Sequence, residues 1–299
     1  MISYGEALST ERLVDFTCNK IEFMSQPRDC DVVYGSTPVV SFGDFTKAKV
    51  ATIGINPSSL EFMDKSNSAT SNGLLPEGKK RLADAETIGL ISEDPYDDDT
   101  GEYLMGSSGA KEIWDKCRDY FINPNPYWSW FSDLETVLSG LSVSYKDSSA
   151  CHLDISPWAT DPVFRDLTLE QRGRLLLGES DFLEWQIAKS NIDIVVFNGA
   201  QVYESLNSLD GFKLWSIGEI TYQSGEQKRT SLLYTGRGPG MARVYGWSLN
   251  LQELRVSKEE KTRISNHLTS WLSDFESWAF AEADEITRML PNPKEVIED

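Results

Sequence analysis

Lys49-Val50-Ala51-Thr52-Ile53-Gly54-Ile55-Asn56-Pro57-Ser58-Ser59 is a short apolar run of β-forming residues that stops abruptly in a small, polar, turn-forming loop. A run of that length and composition reads as a buried strand. In open α/β sheets ligands bind outside the carboxyl ends of the strands, where loops are free to carry functional side chains. Asn56 stands on that edge, between an apolar strand and a proline, and is the first candidate site residue. Its plainer alternative is a turn residue that bonds its own backbone.

Three further β-rich runs lie outward from this stretch, at 150–155, 192–197 and 231–235. Helical periodicity separates and flanks them at 10–24, 110–121, 169–189, 201–209 and 258–283. Strands alternating with helices predict a parallel sheet covered on both faces. The expected fold class is therefore α/β, a three-layer α/β/α sandwich around a central, mainly parallel four-stranded sheet. Each run ends in small or polar residues: Asn56-Pro57-Ser58, Ser156-Pro157, Asn198-Gly199 and Gly236-Arg237-Gly238-Pro239-Gly240. Four strand ends are thus expected to converge on one cleft. In the last helical pattern Ile264, Leu268, Trp271, Leu272 and Phe275 share a face that should pack on the sheet, with His267 a structural or surface residue.

The chain has 299 residues, enough for one large α/β domain, and is read as a single domain carrying an insertion at 60–148. That insertion holds an acidic loop, Glu93-Asp94-Pro95-Tyr96-Asp97-Asp98-Asp99, and an aromatic stretch, Asn125-Pro126-Tyr127-Trp128-Ser129-Trp130-Phe131. The acidic spacing does not match a calcium loop, so a solvated loop is favoured over a cation site. The aromatics read as core and lid packing, with base stacking as the alternative. Residues 291–299 read as an acidic tail.

Cys18, Cys30, Cys117 and Cys151 lack C-x-x-C spacing and read as buried free thiols, although a four-cysteine iron–sulfur cluster stays compatible with the sequence. No metal and no cofactor is expected. Neither a secretory leader nor a run near the roughly 18 apolar residues of a membrane span is evident, so the expectation is a soluble, cytoplasmic protein away from membranes.

A net charge of −19 argues against coating nucleic acid by bulk attraction. The charge is unevenly spread, however. Residues 225–265 hold eight bases and four acids, a local +4 that leaves −23 for the rest.

Gly54-Ile55-Asn56-Pro57-Ser58 resembles the first active-site motif of the uracil-DNA glycosylase superfamily, especially its mismatch-specific branch. The resemblance continues in order through Leu153-Asp154-Ile155-Ser156-Pro157, Val195-Val196-Phe197-Asn198-Gly199 and the loop from Gly236 to Arg243. It covers the sheet core, roughly half of the chain. It implies a DNA glycosylase that flips a pyrimidine out of the helix and hydrolyses its N-glycosidic bond, with DNA as partner and no obligate protein partner. The last motif departs from the family, whose usual His-Pro-Ser loop is replaced by Arg237-Gly238-Pro239-Gly240-Met241-Ala242-Arg243. That removes the histidine that helps to stabilise the leaving base.

By this resemblance Asn56 orients the attacking water, and Asp154 serves as a base or as electrostatic support for the sugar cation. A capping or salt-bridged role for Asp154 is the alternative. Gly54, Ile55, Pro57, Ser58, His152 and Asn198 would line the base pocket, His152 sharing Asp154's side of its strand or being simply a buried structural histidine. Strict uracil enzymes have an aromatic residue where this chain has Ser58, and an asparagine where it has Asp154. A small residue leaves the pyrimidine 5 position open, and a carboxylate accepts from the exocyclic amine of cytosine. Together they point to a 5-substituted cytosine, such as the hydroxymethylated or glucosylated cytosines of some phage DNAs, and to defence against foreign DNA as well as repair. Arg237, Gly238, Gly240, Met241 and Arg243 would bind DNA, Met241 as the wedge that fills the space of the flipped base; a basic surface turn is the plain alternative. A nucleic-acid- or protein-binding member with weak catalysis and a nucleoside or nucleotide N-glycosidase are the rival readings.

Overall fold

A computed structural model describes residues 7–64, 73–90, 107–224, 227–252 and 256–278. The acidic loop at 93–99 and the tail at 291–299 lie outside the described residues. The quoted run forms β1 (Val50–Gly54), which pairs in parallel with β2 (Ala150–Asp154) on one side and β3 (Ile194–Asn198) on the other. All three are buried almost throughout. Their unbroken apolar character is what a strand enclosed on both faces requires.

The sheet is mixed and has six strands, not four, in the order β2-β1-β3-β6-β5-β4. The expected fourth parallel strand at 231–235 is instead the middle of β5 (Gln227–Arg237), which runs antiparallel to both β4 (Lys213–Ser224) and β6 (Arg243–Trp247). The reason is connection length. Only Gly238 to Ala242 separate β5 from β6, and a turn that short can join only antiparallel strands, since a parallel crossover takes a dozen residues or more. β6 therefore completes the parallel block beside β3. β4 escaped the sequence reading because its middle, Ser216 to Glu219, is exposed without an alternating pattern, and its pairing is irregular between Ser216 and Gly218.

Seven helices accompany the sheet among the described residues: α1 (Thr10–Glu22), α2 (Ser107–Arg118), α3 (Trp128–Leu138), α4 (Leu169–Gly178), α5 (Ser180–Lys189), α6 (Ala200–Asn207) and α7 (Lys258–Trp278). The single helix expected at 169–189 breaks at Glu179, directly after Gly178, a weak helix former. α4 opens with a reciprocal cap in which Thr168 and Gln171 satisfy each other's backbone. α7 packs as its periodicity predicts: Ile264, Leu268 and Trp271 are buried, and the Trp271 indole donates to Thr235 on β5 at 2.9 Å. His267 is exposed. Of the aromatic stretch, Phe131 is core, where it packs edge-on to Tyr145 and Phe121, while Trp130 stays partly exposed.

Candidate active site

The carboxyl ends of β1, β2, β3 and β6 lie on one edge of the sheet, and a cleft of about 550 Å³ opens there. Asn56, Asp154, His152 and Glu61 line it, with Phe42 and Phe131 as its aromatic floor. The loops after β1 and β2 are laced together beyond the strands. Ile155 N donates to Gly54 O, Ser156 N donates to Ile55 O, and Ser58 bridges to Thr160.

Asn56 is held from that second loop. Its Nδ2 donates to Trp158 O and to Thr160 Oγ1, both at 3.1 Å. A carbonyl only accepts, so the amide nitrogen must face Trp158 and the orientation is fixed. Both N–H groups are thereby used, and Oδ1 is left to accept from a molecule in the cleft. The bonds run to the neighbouring loop and not to Asn56's own backbone, which sets aside the plain turn role.

Asp154 ends β2 with its side chain only 3% exposed. His152 Nε2 lies 3.3 Å from its Oδ1. The other ring nitrogen, Nδ1, sits 2.7 Å from Thr52 Oγ1, which is 2.6 Å from the Tyr145 hydroxyl. A lone pair on Nε2 would face a carboxylate oxygen, so the proton belongs on Nε2. Nδ1 then accepts from Thr52, and Thr52 accepts from Tyr145. The chain of groups fixes the imidazole beside Asp154 with one N–H toward Oδ1, and a carboxylate with several acceptor positions keeps capacity for a ligand. Gly54, paired with Asp154 across the ladder, makes room for this: a Cβ there would lie 2.2 Å from Asp154 Oδ1 and 2.8 Å from His152 Nε2.

Glu61 is a site residue that the sequence reading missed. It closes the short 3-10 helix Ser59–Glu61 just beyond the Asn56 loop, is 3% exposed, and takes a bifurcated bond of 2.9 Å to each oxygen from the Tyr120 hydroxyl. Tyr120 in turn accepts from Tyr127 N at 3.0 Å. Burial pushes the Glu61 carboxyl up to about 7; Tyr120 and Arg81 oppose the rise, and Asp154 adds to it. Burial also holds the Tyr120 phenol well above its ordinary range, so it remains a donor.

Of the expected pocket residues, Gly54, Ile55, Pro57, Ser58, His152 and Asn198 all line the cleft, but two are committed elsewhere. Ser58 caps the 3-10 helix by accepting from Leu60 N at 3.2 Å, which helps to place Glu61. Asn198 is an internal tie. Its Oδ1 accepts from Trp247 Nε1 and Leu251 N, and its Nδ2 donates to Asn250 and Gln252. An amide so fully bonded organises the loop after β6 and has little left with which to read a base.

The expected convergence of all four loops fails for the last one. Arg237, Gly238, Gly240, Met241 and Arg243 belong to the turn that leads into β6, and Arg243 pairs with Ile194 at the start of β3. That turn therefore sits on the opposite edge of the sheet, against α5, where the Gly240 position abuts Ala188. None of the five lines the cleft. The fourth wall is supplied instead by Ser248, Leu249, Asn250 and Gln252, after β6.

Cys30, Cys117 and Cys151 are buried free thiols and Cys18 is a half-buried one. Among the described residues no group of three or more His, Cys, Asp or Glu is placed to hold a metal ion, and no helix is long and apolar enough to cross a membrane. No protein-family model matches the chain, and no curated protein sequence matches it.

Proposed function

We propose that this chain is a member of the uracil-DNA glycosylase superfamily, a monofunctional DNA glycosylase that hydrolyses the N-glycosidic bond of a flipped, modified pyrimidine and leaves an abasic site. One observation carries the reading: an oriented amide oxygen on Asn56 and an underused, nearly buried carboxylate on Asp154 flank one cleft at adjacent parallel strand ends. Breaking the bond puts positive charge on the sugar, so a carboxylate beside it and a positioned water are the chemistry required. Asn56 Oδ1 holds the water, and Asp154 supports the sugar cation and takes the water's proton. Phe42 and Phe131 give the cleft an apolar floor for the base, and the small Ser58 leaves room for a 5-substituent. The parallel block β2-β1-β3-β6 supports the three-layer arrangement of that superfamily, and free thiols suit a cytoplasmic setting.

A second reading, hydrolysis of a free nucleoside or nucleotide, is favoured by the position of Arg237 and Arg243 on the far edge, away from the cleft. The test for both is to incubate the protein with chelator and a panel of uracil, mismatched and 5-modified cytosine DNAs, beside the matching nucleosides and nucleotides. Abasic sites on a DNA member support the glycosylase. Base release from monomers alone supports the second reading, and folded protein that releases no base from anything overturns both.

A further inference from the structure

The mechanism above leaves one group in the cleft without a task. Glu61 is a nearly buried carboxyl group whose charged and titratable surroundings are Tyr120, just after α2, Arg81, and Asp154 on β2. Its bonding partner Tyr120 packs edge-on to Phe42 at 4.8 Å and to Phe131 at 5.7 Å, the two aromatics of the cleft floor. Glu61 therefore lines the cleft beside its aromatic floor, the apolar part that would receive a base. Asn56, in the same segment after β1, is tied instead to the loop carrying Trp158 and Thr160. The family histidine that would stabilise the leaving base is missing from this sequence.

We propose that Glu61 is a further catalytic residue, the proton donor to the departing base. This rests on the glycosidic-hydrolysis reading. The C1′–N bond breaks with its electron pair passing to the base, which takes the Glu61 proton and leaves neutral. Water adds to C1′ and passes a proton to Asp154. Glu61 ends as a carboxylate and Asp154 as an acid, and exchange with solvent resets both. A carboxyl that titrates at about 7 is half protonated at neutral pH and holds its proton below it, as this role demands. The donor replaces the family's leaving-base histidine from a different element.

The experiment follows base release against pH on the best substrate of the panel and on DNA carrying a 5-fluoro or a 5-methyl version of that base. Wild-type activity should fall as pH rises through about 7. Glu61→Gln should lose about 100-fold at pH 6 and lose that limb, with a smaller deficit on the 5-fluoro base, whose anion needs a proton less. Tyr120→Phe removes a hydrogen bond that favours charged Glu61, so it should move the limb to higher pH. An active wild type whose Glu61→Gln variant keeps its rate within about threefold, or keeps the same limb and loses equally on both bases, overturns this inference alone. A wild type that releases no base overturns it together with the glycosidic reading.

Discussion

The two edges of the sheet carry loops that read alike and are built for different ends. Gly54-Ile55-Asn56-Pro57-Ser58 and Gly236-Arg237-Gly238-Pro239-Gly240 each follow an apolar run with small, turn-forming residues. The first leaves a parallel strand at the edge where β2, β3 and β6 also end, and its polar groups face a cleft. The second closes a hairpin at the other edge, a strand length away, roughly 15 Å for five residues. There it packs on α5 and accepts its own internal bonds, Arg237 donating to Met241 O at 3.2 Å. A loop's chemistry thus depends on the direction of the strand that feeds it, which local composition does not encode.

The largest expected effect separates the edges by catalysis. Asp154→Ala and Asn56→Ala should each lower single-turnover base release by about 100- to 1000-fold, against less than about threefold for Arg237→Ala combined with Arg243→Ala. A large loss from the arginine pair, with folding intact, would bring the far edge into function and break the comparison.

Next is pH. Glu61 is protonated more readily in the folded chain, at about 7 against an ordinary 4.5, so between those values the native state holds the extra proton and stability falls as pH rises. The full loss, about 3 kcal/mol, is reached above pH 7 and is absent below pH 4.5. Urea unfolding of the Glu61→Gln variant should lack this component of the pH slope; an unchanged slope would detach Glu61 from it.

Glycines at the two edges give a smaller contrast. Gly54→Ala drives a methyl into the Asp154–His152 pair and should cost about 1–3 kcal/mol together with most of the activity. Gly240→Ala meets the backbone of Ala188 and sits at φ +64°, so thermal denaturation should show a loss of similar size while kcat stays near wild type. Smallest is Ser58→Ala, which removes a cap worth about 1 kcal/mol. It should sharpen the contrast by lowering activity more than stability, because the capped turn places Glu61.

The buried strands and most helices were legible because burial on both faces writes itself as continuous apolar runs, as in Ile194 to Phe197. The His152–Asp154 neighbourhood was legible from the period of two along a strand. β4 was not, because Ser216, Gly218 and Glu219 are exposed and follow no alternation. Glu61 carried a weak signal, a glutamate three residues after Ser58 at a turn, but that pattern equally denotes a cap. Its real partner, Tyr120, is 59 residues away, a distance that only the fold closes. Asn198 was legible as a residue of the cleft but not as an anchor, since a polar residue at a strand end suits either role and only the fold brings Trp247, Asn250 and Gln252 to it.

The bulge in β4 bears on how copies of this chain meet. A twelve-residue outer strand with half-buried Trp215 and exposed Ile217 would offer a flat template for edge-to-edge stacking. The register shift between Ser216 and Gly218 interrupts that template, and Arg263 donates to Thr221 O at 3.0 Å farther along it. At the opposite margin Phe42 occupies β2 through its two backbone bonds with His152. Neither margin offers an unbroken row of backbone partners among the described residues, which is how sheets discourage edge-to-edge pairing.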